Sequence, residues 1–294
     1  MRYIDQWKKG DEGAGTYLLT VFFVLLSLLI SSLVSELLAT SYLGFSLANI
    51  PDNVDLNAVL SLMLLPFAVA LVTLALCIQR LHHRPIVSLF TARERFDWKR
   101  FFLSFFIWGG ISGIFLGVML LNGAPIKWNF NPATFVMLTL VSLFIMPLQT
   151  TAEEAFFRGF LLQGIGRMFG KAWMSILITG VLFGLLHGSN PEVEKIGNIL
   201  LIFYIGTGIF LGLMAHLDNG IELSMGYHAV NNIFAALIVT NNWQAFHTDA
   251  LLMDYSPPAF GWEAWLTLLL FQPLLLLLFA KIYGWKDWKK NLLN

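Results

Sequence analysis

The sequence predicts an all-α, polytopic membrane protein of about eight transmembrane helices, with an active site within the helix bundle. Three observations predict it. The 294 residues are 57% hydrophobic and only 12% charged, and their mean hydropathy is +0.71. Apolar runs of about 20 residues, the length that crosses a bilayer, recur along the whole chain. Lys and Arg crowd the segments that alternate with these runs on one side, as the positive-inside rule describes.

The expected spans are roughly 16–38, 57–79, 101–121, 134–168, 172–187, 196–216, 221–240 and 262–283. The first is longer than a signal-peptide core and lacks a small-x-small cleavage site near its end, so it reads as a retained helix. The fourth exceeds one plain span, and Pro147 is expected to kink it. The fifth is short. With the N-terminus in the cytoplasm, the cytoplasmic side holds all but Lys127 and Lys195 of the chain's 18 Lys and Arg. Both termini therefore lie inside, in what reads as a bacterial inner (cell) membrane.

Outer loops carry Asp52, Asp55, Asp249 and Asp254 with Pro51, Pro257 and Pro258, which is turn chemistry. His82 and His83 read as a solvated or headgroup-facing pair in a basic loop, and Trp285 and Trp288 as an interfacial anchor. The chain divides into helices 1–3 (1–130), a core of helices 4–7 (131–240), and helix 8 with its tail (241–294), as one membrane unit. Net charge is zero, which gives no basic footprint for nucleic acid. One cysteine, Cys77, rules out an internal disulfide.

Polar side chains inside the apolar runs mark the candidate site. Thr151-Ala-Glu-Glu-Ala-Phe-Phe-Arg158 places two carboxylates and an arginine in hydrocarbon, at roughly 2.5 to 3.5 kcal/mol for each charge on insertion scales. Glu154 and Arg158, four apart, pair on one helix face. Glu153 lies about 100° round the helix and has no such partner. The fifth run ends in Phe183-Gly-Leu-Leu-His187, and the seventh contains His228-Ala-Val-Asn-Asn232.

Helix geometry brings these together. Gly170 is a natural helix stop, and Glu153 and His187 lie 17 residues before and after it. Each is about 25 Å from that turn, so the two are level. His228 and Asn232 project from one face. His228 is only about 15 Å from the turn near 218, so either the helix after Arg158 overhangs the membrane or the 218 turn is sunken.

This set suits peptide hydrolysis. An unpaired, partly desolvated Glu153 can take a proton from water, and His187 can orient that water. His228 and Asn232, as neutral donors, can face the oxyanion of a tetrahedral intermediate. Phe183 would shield the imidazole of His187 from lipid. Ser224 near His228 has no third partner, and Cys77 has no acidic or basic neighbour in sequence. No cofactor is required. A divalent metal such as zinc stays open, since Glu, His and His can ligate it, although there is no HExxH spacing.

At these residues the chain resembles the CAAX-processing and bacteriocin-processing family of intramembrane endopeptidases, the type II CAAX prenyl endopeptidase group. Its motifs EExxxR, FxxxH and HxxxN match Glu153-Glu154-x-x-x-Arg158, Phe183-x-x-x-His187 and His228-x-x-x-Asn232, in that order, within residues 150–235. The resemblance implies an eight-helix membrane protease acting on a membrane-associated protein or peptide. It assigns Glu153 and His187 as the water-activating pair, His228 and Asn232 as the oxyanion site, and Glu154 with Arg158 as support. Bacterial members are linked to bacteriocin maturation and self-immunity. Two other classes compete: a non-catalytic immunity or assembly partner, and a transporter or proton relay, which would show inverted repeats.

Overall fold

A computed structural model describes residues 1–11, 13–51 and 54–293; Asp52 lies outside them. Eight long helices order the described residues: α1 (Ala14–Leu43), α2 (Leu56–Arg80), α3 (Trp98–Leu121), α4 (Pro132–Phe169), α5 (Ala172–Ser189), α6 (Ile199–Asp218), α7 (Glu222–Ile233, continued by Phe234–Ile238) and α8 (Trp262–Tyr283). All but α7 are long and apolar enough to cross a membrane by length and composition. The span expected at 221–240 is thus corrected to a shorter helix. Its physical reason is polarity: Glu222, His228, Asn231 and Asn232 break the apolar run, and Val239–Thr240 leave the helix as a strand.

Local chemistry sets the helix ends. Asp55 accepts from the backbone N–H groups of Asn57 and Ala58 at the start of α2, and Asp97 caps α3 through Lys99. Asn131 caps α4 with Pro132 at its first position, where a missing N–H costs nothing. Gly170 stops α4 in the left-handed conformation at φ 66°, as the sequence predicts. Asn219 does the same for α6 at φ 57°.

The helix α4 departs from plain α geometry twice. Wide π-type turns occupy Val141–Ile145 and Ala155–Leu161, on either side of an α-helical stretch, Met146–Glu154. Pro147 follows the first of them directly. The ring that was expected to kink the helix therefore sits where the ladder is already widened, so its missing N–H falls at a change of hydrogen-bonding pattern.

Packing puts α4 and α7 at the centre. The pairs α1 with α2, α5 with α6 and α3 with α7 lie side by side, and α4 touches α2, α5 and α7. Apolar side chains of α3, α6, α7 and α8 meet around Trp108, Phe210, Tyr227 and Phe279. A second cluster joins α2, α4 and α7 through Leu64, Val141, Met146 and Ile233. Every residue from Ile221 to Val230 is buried. Between α5 and α6, Gly180 and Gly208 let the backbones touch: a Cβ on Gly208 would lie 2.7 Å from the Gly180 carbonyl oxygen.

Other segments of the chain cover the turn near 218. Residues 3–9, the loop after α2 and the tail after α8 all close over it. The Tyr3 N–H donates to Asn219 Oδ1, Ala92 and Ile221 exchange backbone hydrogen bonds with Asn219 and Phe90 respectively, and Trp285 donates to Asp218 Oδ1. Both terminal segments thus meet one end of the bundle. Trp285, expected as a lipid-interface anchor, turns inward onto Asp218.

His82 is a second correction. It is fully buried, with Nε2 2.9 Å from Thr20 Oγ1 and its ring edge-on to Tyr17 and Phe160. The chain after α2 folds back over α1, and that fold places His82 inside while His83 stays out, paired with Asp11. At the opposite end a small sheet in the order β1 (Ile126–Trp128), β3 (Leu252–Asp254), β2 (Val239–Thr240) ties the loops after α3 and α7.

Candidate active site

The α-helical stretch Met146–Glu154 and the helix α7 face each other, and their polar residues form rungs. Glu154 and Arg158, both without solvent exposure, pair at 2.8 Å as the i,i+4 spacing predicts. Glu154 Oε1 also accepts from His228 Nδ1 at 2.9 Å. Across the imidazole, Nε2 lies 3.5 Å from Glu153 Oε2. One histidine therefore stands between two glutamates on adjacent positions of one helix. One turn further along both helices, Asn232 Nδ2 donates to Gln149 Oε1 at 3.1 Å.

Arg158 reaches past this pair. Its Nη2 donates to the Gly208 carbonyl at 3.2 Å, an approach that the small residues between α5 and α6 permit. Its guanidinium lies 4.2 Å from the centre of the Phe183 ring, within cation–π range.

Phe183 occupies the middle of the cluster rather than the lipid side. Its ring is 4.5 Å from that of His187, 5.9 Å from His228 and 5.4 Å from Phe157, and it is buried. The expected lipid shield is an internal wall, because the face of α5 that carries Phe183 turns toward α4 and α7. Leu182, Leu185 and Leu186 take the exposed face instead.

His187 closes α5. Its Nδ1 donates to the Phe183 carbonyl at 2.7 Å, which fixes the proton on Nδ1 and leaves the Nε2 lone pair free. No hydrogen bond joins it to Glu153 among the described residues; Phe183 and His228 link them. The carboxylate of Glu153 keeps Oε2 without a hydrogen-bond partner, and the same is true of Glu154 Oε2 and Arg158 Nε.

The tautomer of His228 bears on its chemistry. A carboxylate at Nδ1 is an acceptor, so a neutral ring carries its proton there and has none on Nε2. A neutral His228 thus donates from Nδ1, to Glu154, and donates from Nε2 only when it holds a second proton. Ser224 donates to the Ile221 carbonyl of its own helix, and Cys77 is buried in α2. Among the described residues no three His, Cys, Asp or Glu side chains are grouped so as to hold a metal ion.

Three contributors escaped the sequence reading. Gln149 is one turn before Glu153 in an apolar helix, a signal of the same kind as the one that marked the glutamates. Tyr204 stacks on His187 with ring centres 4.5 Å apart, and Glu192 accepts from the Tyr204 hydroxyl at 2.6 Å. Neither carries a spacing that points to the site.

Comparison with known proteins matches residues 132–234, which carry every residue of this cluster, to the family model described as type II CAAX prenyl endopeptidase Rce1-like. The uncharacterized protein YyaK of Bacillus subtilis (strain 168) is 31% identical over 193 residues, covering 63% of this chain and 62% of that protein. The chain thus spans less than two thirds of the length of that relative. No solved structure matches.

Proposed function

We propose, from the match of residues 132–234 to the Rce1-like, type II CAAX prenyl endopeptidase model, that the chain is an intramembrane endopeptidase that hydrolyses a peptide bond of a membrane-associated protein or peptide by glutamate-activated water. The observation that carries the reading is the imidazole of His228 held between Glu154 at 2.9 Å and Glu153 at 3.5 Å. Glu153 takes a proton from water as the oxygen attacks the scissile carbonyl, and the free Nε2 of His187 orients that water. The proton passes from Glu153 to Nε2 of His228, which becomes a donor to the oxyanion beside Asn232. It then returns to the leaving amine nitrogen as the carbon–nitrogen bond breaks. Glu154 holds Nδ1 throughout and, with Arg158, fixes the ring.

The reading is metal-free, and what supports it is that both nitrogens of His228 face carboxylates of the chain. Cleavage is expected to survive 1,10-phenanthroline and EDTA; loss under chelation with recovery on added zinc would overturn it. The positive-inside bias supports both termini in the cytoplasm of a bacterial cell.

The deciding experiment compares protein N- and C-termini in membranes of cells expressing the wild-type chain and Glu153→Gln at equal levels. New ends that require Glu153 establish proteolysis and name the substrate. Identical ends, with both proteins folded, replace the protease by a non-catalytic immunity or assembly partner.

A further inference from the structure

The loop that follows His187 is anchored by one carboxylate, and that anchor reaches the imidazole. Glu192 sits in the short helix Pro191–Ile196. Its Oε1 accepts from Asn190 Nδ2 at 3.0 Å and from the hydroxyl of Tyr204, on α6, at 2.6 Å. Its Oε2 accepts the backbone N–H of Ala245, in the loop after α7, at 2.9 Å. Three separate parts of the chain thus converge on one side chain.

The ring of Tyr204 lies against that of His187 at 4.5 Å, with their planes 29° apart. The ring of Phe183 also lies 4.5 Å from the imidazole, tilted by 47°. His187 ends its helix in a 3-10 turn, His187–Ser189, where a side chain has less lateral support than inside a regular helix. The hydrogen bond from Nδ1 to Phe183 O fixes one edge of the ring. Tyr204 and Phe183 both crowd the ring and oppose its rotation about that edge.

We propose that Tyr204 and Glu192 are positioning residues for His187. Tyr204 sets the plane of the imidazole, and Glu192 sets Tyr204 by accepting the hydrogen bond of its hydroxyl. Through the Ala245 N–H the same carboxylate registers the loop after α7, so that the His187 and His228 sides of the cluster share one tether. The aim of Nε2 then depends on a carboxylate that acts through Tyr204. The inference rests on the protease reading for the use made of Nε2, and not for the packing itself.

Two readouts test it on the full chain in detergent. The first is modification of His187 by diethyl pyrocarbonate, followed by mass spectrometry, with buried His228 as internal control. Tyr204→Phe keeps the stacked ring and loses the tether, Glu192→Gln turns a donor on one of its three partners, and Tyr204→Leu removes the stack. His187 is expected to react faster in all three, most in Tyr204→Leu, with His228 unchanged. The second readout is cleavage of the substrate that the comparison of protein ends identifies: kcat falls about tenfold in Tyr204→Phe with KM unchanged, as for a misaimed group.

Unchanged His187 labelling in all three variants overturns the proposal, whether or not the chain cleaves anything. A loss confined to KM, or one explained by a lower unfolding midpoint, overturns it as well. Wild-type chain that yields no Glu153-dependent ends overturns the protease reading instead, and the labelling alone then decides the positioning.

Discussion

Two buried networks of arginine and carboxylate lie at different depths of this molecule, and they are built to opposite rules. Near the terminal end, Asp218 receives Arg93, Arg100 and Trp285, and Glu222 receives Arg93 and the backbone N–H of Asp97. Every carboxylate oxygen there is partnered. In the cluster around His228, Glu153, Glu154 and Arg158 each keep a buried polar atom without a partner. Buried polar groups are nearly always satisfied in folded proteins, so unsatisfied ones call for a reason. The saturated network holds the covered turn in place, and under the proposed function the other keeps hydrogen-bonding capacity for water and substrate.

That contrast can be broken at its strongest point first. Glu153→Gln keeps the shape of the side chain and removes the base, so cleavage should fall by about 10²- to 10⁴-fold while the thermal unfolding midpoint in detergent stays put. Arg93→Ala should do the reverse. It leaves buried Glu222 without its arginine, at a cost of about 3 to 5 kcal/mol, and should lower the midpoint while the turnover of the surviving folded protein is retained. If Arg93→Ala abolished turnover in folded protein, the division of labour would be wrong.

Arg158→Ala sits between these cases and sharpens the comparison. It leaves Glu154 buried and uncompensated, again about 3 to 5 kcal/mol, and frees the His228 ring, so both midpoint and cleavage should drop. A normal midpoint would remove its assignment as support. Gly208→Ala is a milder probe of the same connection. Its methyl group meets the Gly180 carbonyl oxygen at 2.7 Å and presses α6 off α5, at about 1 to 3 kcal/mol, lengthening the Arg158 contact.

A further effect lies outside both networks and serves as a control on pH. Burial, then the charge of Arg84, pushes the His82 pKa down to about 4, against the weaker pull of Asp11. The unfolded chain therefore takes up this proton first as pH falls. Stability should decline from about pH 6.5 to about pH 4, by at most about 1.4 kcal/mol per pH unit, with no further loss from this group below that. His82→Gln should flatten the decline in a series of unfolding midpoints.

Much of this was legible because membrane helices announce themselves locally. The apolar runs gave seven of eight helices, Gly170 gave the hairpin between α4 and α5, and the spacing of Glu154 and Arg158 gave their pair. Of the motif residues, Glu153, Glu154, Arg158 and Phe183 meet around His228, and His187 joins them through Phe183. What escaped was non-local. Nothing near His82 says that its loop folds back onto Thr20, and nothing near Asp218 says that Tyr3, Arg93 and Trp285 will cover it. The bond from Glu154 to His228, which changes the tautomer and hence the role of that ring, joins residues 74 apart in the chain.

The two π-type turns of α4 give this helix the character of a geared shaft. Between them Gln149, Glu153 and Glu154 ride on a short α-helical stretch, and each widened turn takes up an extra residue and so resets the phase of whatever follows. Were Val141–Ile145 wound at ordinary α pitch with no residue removed, that stretch would advance by about 100°. The helix would still cross the bundle and still bury an apolar stripe, yet its carboxylates would point away from His228. Alignment of the two halves of this site is thus a matter of angular timing along a single helix, set well before the residues that use it.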